Sequence, residues 1–263
     1  MGRLLKFWLV MVTALWATLA GAQLDQRVVD IPTRPGVSQR LLVLTPTAPR
    51  AVAILFAGGH GGLQLTAEGA FRWGEGNFLI RSRKLFVEQG FVVVVVDAPS
   101  DRQSPPFLSG YRQRPDHVAD VKTVIAWVRA QARLPVWLVG TSRGTQSVAW
   151  VASELSGSDA PDGLLLSATI LTDKGGHPVP AMPLAALRMP VLVVHHERDE
   201  CMHCAFSEVP ALMDKLVAVP RKKLLSFTRG VSRGDPCEAF AYHGFNGIER
   251  DVVAQAAAWI LGE

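Results

Sequence analysis

Along this chain, short apolar runs alternate with longer stretches in which apolar positions recur at helical spacing. Residues 26–31 and 37–45 carry strand-like apolar positions on either side of Arg34-Pro35-Gly36, a turn signal, and suggest an antiparallel start to a sheet. Ala51–Phe56 reads as a further strand. Residues 91–97, FVVVVVD, are so continuously apolar and β-branched that they predict a strand buried on both faces. Residues 135–139, 163–168, 191–195 and 223–227 complete the strand pattern. Helices are predicted over about 78–89, ending at Gly90, and over 117–132, where Val118, Val121, Ile125 and Val128 share a face. Three more are predicted over 145–155, 205–217 and 247–261. Residues 98–114, rich in Pro, Ser and Arg, read as a loop, and 172–188 as a loop with room for a short helix. Strands alternating with helices predict an α/β fold: a mostly parallel central sheet with helices on both faces.

The first 22 residues follow a different pattern. Arg3 and Lys6 precede an apolar stretch at 7–19, and Ala20-Gly21-Ala22 fits a small-residue cleavage site. We therefore expect a signal peptide over 1–22, cut before Gln23, and a single domain over 23–263. The rival is an uncleaved membrane anchor, but the apolar run falls short of the ~20 residues that cross a bilayer. The expected location is periplasmic or secreted, with no stable membrane insertion after cleavage.

Of the 263 residues, 49% are apolar, enough for a large core and against disorder. The net charge is +4, but Lys and Arg are scattered and no basic run interleaves with aromatics, so nucleic acid is not an expected partner. The three cysteines are Cys201 and Cys204, in a C-M-H-C run, and Cys237. In an oxidising compartment a disulfide is the default, and one cysteine is left over. A bridge from either Cys201 or Cys204 to Cys237 would close a loop of about 30 residues, worth ~3–4 kcal/mol in the chain-entropy model. A zinc site using His203 is the alternative, but four well-spaced ligands are not evident, so no metal is expected.

The most informative chemistry lies at 140–144, Gly-Thr-Ser-Arg-Gly, between a predicted strand and a predicted helix. This is a G-x-S-x-G elbow, in which glycines permit a sharp turn and tight helix packing and the serine stands exposed at a helix N-terminus. The alternative is a glycine-rich turn whose serine merely caps the helix. A hydroxyl is a weak nucleophile without a base, so polar residues at other strand ends matter. Asp199 follows the 191–195 strand, and His243 follows the 223–227 strand across a loop. Ser142, Asp199, His243 is a nucleophile–acid–base order. Asp173 and, more weakly, Glu197 are rival acids. His195 and His196 read as packed, hydrogen-bonded residues at a strand end, and His117 and His177 as surface residues.

With these motifs in order, and the glycine loop Ala57-Gly58-Gly59-His60-Gly61-Gly62 ahead of them, the sequence resembles the α/β-hydrolase family. The resemblance covers nearly all of 25–263 and is nearest to small, lidless serine esterases of the dienelactone-hydrolase kind. It implies an α/β-hydrolase fold and a serine hydrolase, a carboxylesterase, with catalytic Ser142, Asp199 and His243. It also implies an oxyanion hole from the backbone N–H groups of Arg143 and Gly59. Trp73 is expected to touch substrate, with Phe71 a further pocket candidate; His60, in the glycine loop, is read either as a substrate contact or as a surface residue. The tryptophans at 127, 137, 150 and 259 are expected in the core. The expected partner is a small-molecule acyl substrate. No cofactor is expected, because the glycine loop lacks both G-x-G-x-x-G spacing and the Lys-Ser/Thr of a phosphate loop. A peptidase or acyltransferase on the same triad, or a secreted binding protein that kept the fold without chemistry, are the alternatives.

Overall fold

A computed structural model of the protein describes residues 25–173 and 176–263; the expected signal peptide at 1–22 lies outside the described residues. Eight strands form one sheet: β1 (Asp25–Arg34), β2 (Val37–Thr45), β3 (Ala51–Phe56), β4 (Phe91–Pro99), β5 (Val136–Thr141), β6 (Gly163–Ser167), β7 (Val191–His196) and β8 (Lys222–Phe227). Their order is β1-β2-β4-β3-β5-β6-β7-β8. The β1–β2 and β2–β4 pairs are antiparallel, as the turn at Arg34-Pro35-Gly36 suggests, and every later pair is parallel.

Among the described residues, five helices cover the sheet: α1 (Phe78–Glu88), α2 (Pro115–Gln131), α3 (Gly144–Glu154), α4 (Val209–Lys215) and α5 (Glu249–Leu261). The alternation of side chains along β4 explains how one strand serves two cores. Val92, Val94 and Val96 pack with residues of α2, α3 and α4, while Val93 and Val95 pack with residues of α1 and α5. All nine residues of β4 are buried, as its unbroken apolar run requires. Trp137 is buried, and Trp127, Trp150 and Trp259 are packed against the two cores.

The chain leaves β3 toward α1 on one face and leaves β5 toward α3 on the other. These neighbouring strands thus diverge at their carboxyl ends, and a crevice opens there.

Three expectations need correction. The helix predicted over 205–217 is only seven residues long, preceded by a 3-10 turn at Phe206–Glu208. Pro210 has no N–H to donate and so belongs in a first turn, which makes α4 start at Val209. The last helix starts at Glu249 rather than 247, because Gly247 has φ +83° and is left-handed. His117, expected at the surface, is buried at 2% exposure, edge-on to Phe56 and Tyr111.

Candidate active site

The turn from β5 into α3 is held by sterics. A Cβ at Gly140 would lie 2.6 Å from the Gly144 carbonyl oxygen, and one at Gly144 would lie 2.1 Å from that of Phe56. Neither position accepts another residue without displacing backbone. Ser142 sits between them with φ +51°, a left-handed conformation that non-glycine residues seldom adopt. Its backbone is pinned on both sides. Its N–H donates to Ser167 O (3.0 Å), and its carbonyl accepts from Thr145 N (2.9 Å) and Thr145 Oγ1 (2.6 Å).

Asp199 and His243 come together from segments 44 residues apart. Asp199 stands in the turn after β7, its N–H bonded to His196 O (3.1 Å). Its Oδ1 accepts from Cys201 N (2.9 Å), and its Oδ2 accepts from His243 Nδ1 (2.9 Å). The Asp199 side chain has no exposure and that of His243 has 5%. A carboxylate can only accept, so Nδ1 donates in this contact, which in a neutral ring leaves the lone pair on Nε2. Among the described residues, Nε2 is buried and has no hydrogen-bond partner. Ser142 and His243 line the same cavity of about 500 Å³ without a hydrogen bond between them.

The neighbouring histidines are otherwise occupied. Burial pushes the His195 imidazole down to about 4, and its Nε2 accepts from Thr169 N (2.8 Å). His196 stacks on Tyr242 at 4.4 Å, and its ring nitrogens bond Arg229 O and Arg198 N. The rival acids have other partners too. Asp173 accepts from Arg143 Nη1 (2.8 Å) and Gln146 Nε2 (3.4 Å), and the exposed Glu197 accepts from Ser226 Oγ (2.7 Å).

The loop after β3 approaches the serine closely, since a Cβ at Gly58 would lie 2.9 Å from Ser142 Cβ. Among the described residues, neither the Gly59 nor the Arg143 backbone N–H donates a hydrogen bond. Arg112 supports this loop from below. It donates to Ala57 O (3.1 Å), Gly59 O (3.2 Å) and Ser147 Oγ (2.8 Å), and its burial lowers its pKa to about 9. Nothing in the sequence marked Arg112, which lies in a loop and acts through carbonyl groups.

Trp73 lines the cavity, whereas His60 and Phe71 do not. The His60 ring is sandwiched, 3.8 Å from the Trp73 ring and 4.3 Å from that of Phe107, and its Nδ1 accepts from Gly62 N (3.1 Å). It backs the Trp73 ring. Phe71 pairs with Leu65 in an isolated bridge and packs on the core beneath the Arg83 guanidinium.

Besides Arg112, two more lining or supporting residues had no signal in the sequence. Phe240 borders the cavity, and Arg81 ties its edges together. Arg81 donates to Gly76 O and to Gly244 O (2.6 Å), and pairs with Glu249 (2.9 Å). A Cys201–Cys237 disulfide joins the segment that carries Asp199 to the one that carries His243, and Cys204 stays a buried free thiol. Cys201 and Cys204 sulfurs and a His243 nitrogen cluster within 4.8 Å, but the oxidised Cys201 is no thiolate ligand. His203 stands apart, bonded to Thr172 O (3.0 Å).

No family model and no curated protein sequence matches the chain. Solved structures do. A dienelactone hydrolase from Anabaena variabilis superposes with a TM-score of 0.61 at 12% identity, covering 91% of this chain and 98% of its own. A Pyrococcus furiosus esterase gives 0.64 at 11%, covering 90% and 92%. A lidless α/β serine hydrolase from Xanthomonas campestris gives 0.54 at 18%, covering 89% and 95%. Sheet order, helix placement and these superpositions agree that the chain has the α/β-hydrolase fold.

Proposed function

We propose that the protein is a serine hydrolase that cleaves a carboxylic ester or related acyl bond through an acyl-enzyme. The observation that carries this reading is the buried Asp199–His243 pair on the cavity that Ser142 also lines. In the reaction, His243 Nε2 takes the Ser142 proton as the hydroxyl oxygen attacks the acyl carbon. Asp199 keeps the ring in the required tautomer and stabilises the imidazolium that forms. The transfer needs the two atoms within ~3.2 Å, a contact that tightens on substrate binding in many hydrolases. Charge on the former carbonyl oxygen is received by the free N–H groups of Arg143 and Gly59. The alcohol leaves with the proton from His243, and a water activated by the same nitrogen releases the acid. The disulfide supports export of the 23–263 domain behind a signal peptide at 1–22.

A fluorophosphonate probe tests this. The protein should be labelled and the Ser142→Ala variant should not. A protein that keeps its fold and takes no label is a binding protein, and the reading fails. Turnover of esters without turnover of matched amides separates an esterase from a peptidase. Ester product formed with an added alcohol acceptor identifies an acyltransferase.

A further inference from the structure

We propose that the cavity beside Ser142 selects uncharged esters bearing an aryl or similarly flat apolar group, bound against Trp73 and Phe240. The proposal rests on the hydrolase reading above. The cavity, at about 500 Å³, is of the size that encloses a small molecule. Five large apolar side chains are exposed among the described residues, and two of them, Trp73 at 37% and Phe240 at 51%, border this one cavity. Folding leaves both rings in water where a ligand can cover them.

Both rings are held in place before any ligand arrives. Trp73 rests on the Trp73–His60–Phe107 stack, with spacings of 3.8 and 4.3 Å. Burial lowers the His60 pKa, which favours the neutral form of the middle ring of that stack. Phe240 has the Arg81 guanidinium 5.3 Å from its centroid, and its carbonyl accepts from Arg233 N (2.9 Å) and Asn246 Nδ2 (3.0 Å). Fixed rings bind with little ordering cost. Each ring also lies directly on a glycine. A Cβ at Gly59 would be 2.6 Å from Trp73 Cη2, and one at Gly76 would be 3.2 Å from the Phe240 ring. Trp73 therefore stands over the residue whose N–H is assigned to the oxyanion, close to the acyl carbon. The charges on the cavity lip are Arg233, Asp235 and Glu238, one cation against two anions. That balance favours a neutral ligand over a carboxylate.

The test compares kcat/KM for methyl phenylacetate and methyl hexanoate, and for benzyl acetate and hexyl acetate, so that acyl and alcohol sides are read separately. The protein should prefer the aryl member of at least one pair by about tenfold. Trp73→Ala and Phe240→Ala should each lower that ratio by about 2- to 12-fold, the span of one aromatic contact. Trp73→Phe and Phe240→Tyr should restore most of it. A ratio near one in the unaltered protein, or one that neither alanine variant moves, overturns the proposal. If no ester is cleaved and no fluorophosphonate bound, the hydrolase reading falls, and the aromatic subsite is decided by calorimetry with benzyl alcohol. Binding weakened by both alanine variants supports the subsite, and no binding overturns it.

Discussion

Reducing the Cys201–Cys237 disulfide should lower activity well before it unfolds the chain. The bridge spans 36 residues, which the chain-entropy model converts to ~4 kcal/mol of stability. A domain typically has about 5–15 kcal/mol to lose, and this bridge supports none of the sheet pairings directly, so most molecules should stay folded. Its two ends, however, sit at the site. The Cys201 N–H holds Asp199 Oδ1 at 2.9 Å, and Cys237 lines the cavity six residues before His243. Cys201 is 2% exposed, so reductant reaches the bridge through the cavity side of Cys237. Once freed, the two segments can drift, and a misplacement of ~1 Å in a catalytic group costs up to about 100-fold. We expect kcat/KM for a simple ester to fall about 10- to 100-fold across a phosphine reductant titration in which far-UV circular dichroism is unchanged. The Cys201→Ser/Cys237→Ser double variant should match the reduced protein and excludes exchange with the Cys204 thiol. Parallel loss of activity and ellipticity, or full activity in the double variant, would refute the reasoning.

Three further outcomes follow from the geometry. Gly144→Ala places a Cβ 2.1 Å from Phe56 O, and should cut ester turnover at least about 100-fold while lowering Tm, read by scanning calorimetry. Arg81→Ala removes the bonds to Gly76 O, Gly244 O and Glu249, and should lower kcat about tenfold, with partial recovery in Arg81→Lys; equal kcat in all three proteins would dismiss Arg81 as a positioning residue. Burial holds His117 down to about 3 and His195 to about 4, so the unfolded chain binds protons first as pH falls below about 6.5. Stability from both is complete above that pH and is lost toward pH 4, by about 1.4 kcal/mol per unit for each histidine; urea melts at pH 7.5 and 5.5 measure it, and equal midpoints would contradict the burial argument.

The architecture was largely legible because its signals are local. The FVVVVVD run at β4 and the glycines flanking Ser142 are tied to sterics and burial within a few residues. Asp199 and His243 were singled out only by their places after β7 and β8. What escaped depends on contacts between distant segments. His117 lies four residues before Val121, on the apolar stripe of α2, and that spacing could have marked it as buried. Phe240 and Arg81 have no local signature, since one meets the cavity from a loop and the other acts through carbonyls of 76 and 244. The His60 stack was not legible because it needs Trp73 and Phe107 from two other loops. Spacing could not choose between Cys201 and Cys204 as the partner of Cys237, whereas the folded chain pairs Cys201.

The left-handed backbone at Ser142 has a consequence for how this chain could be optimised. A side chain there disfavours the native turn by roughly 1 kcal/mol relative to glycine. Selection for thermal endurance alone would therefore favour glycine over the hydroxyl, and under the hydrolase proposed above a descendant that followed it would gain robustness and lose its nucleophile.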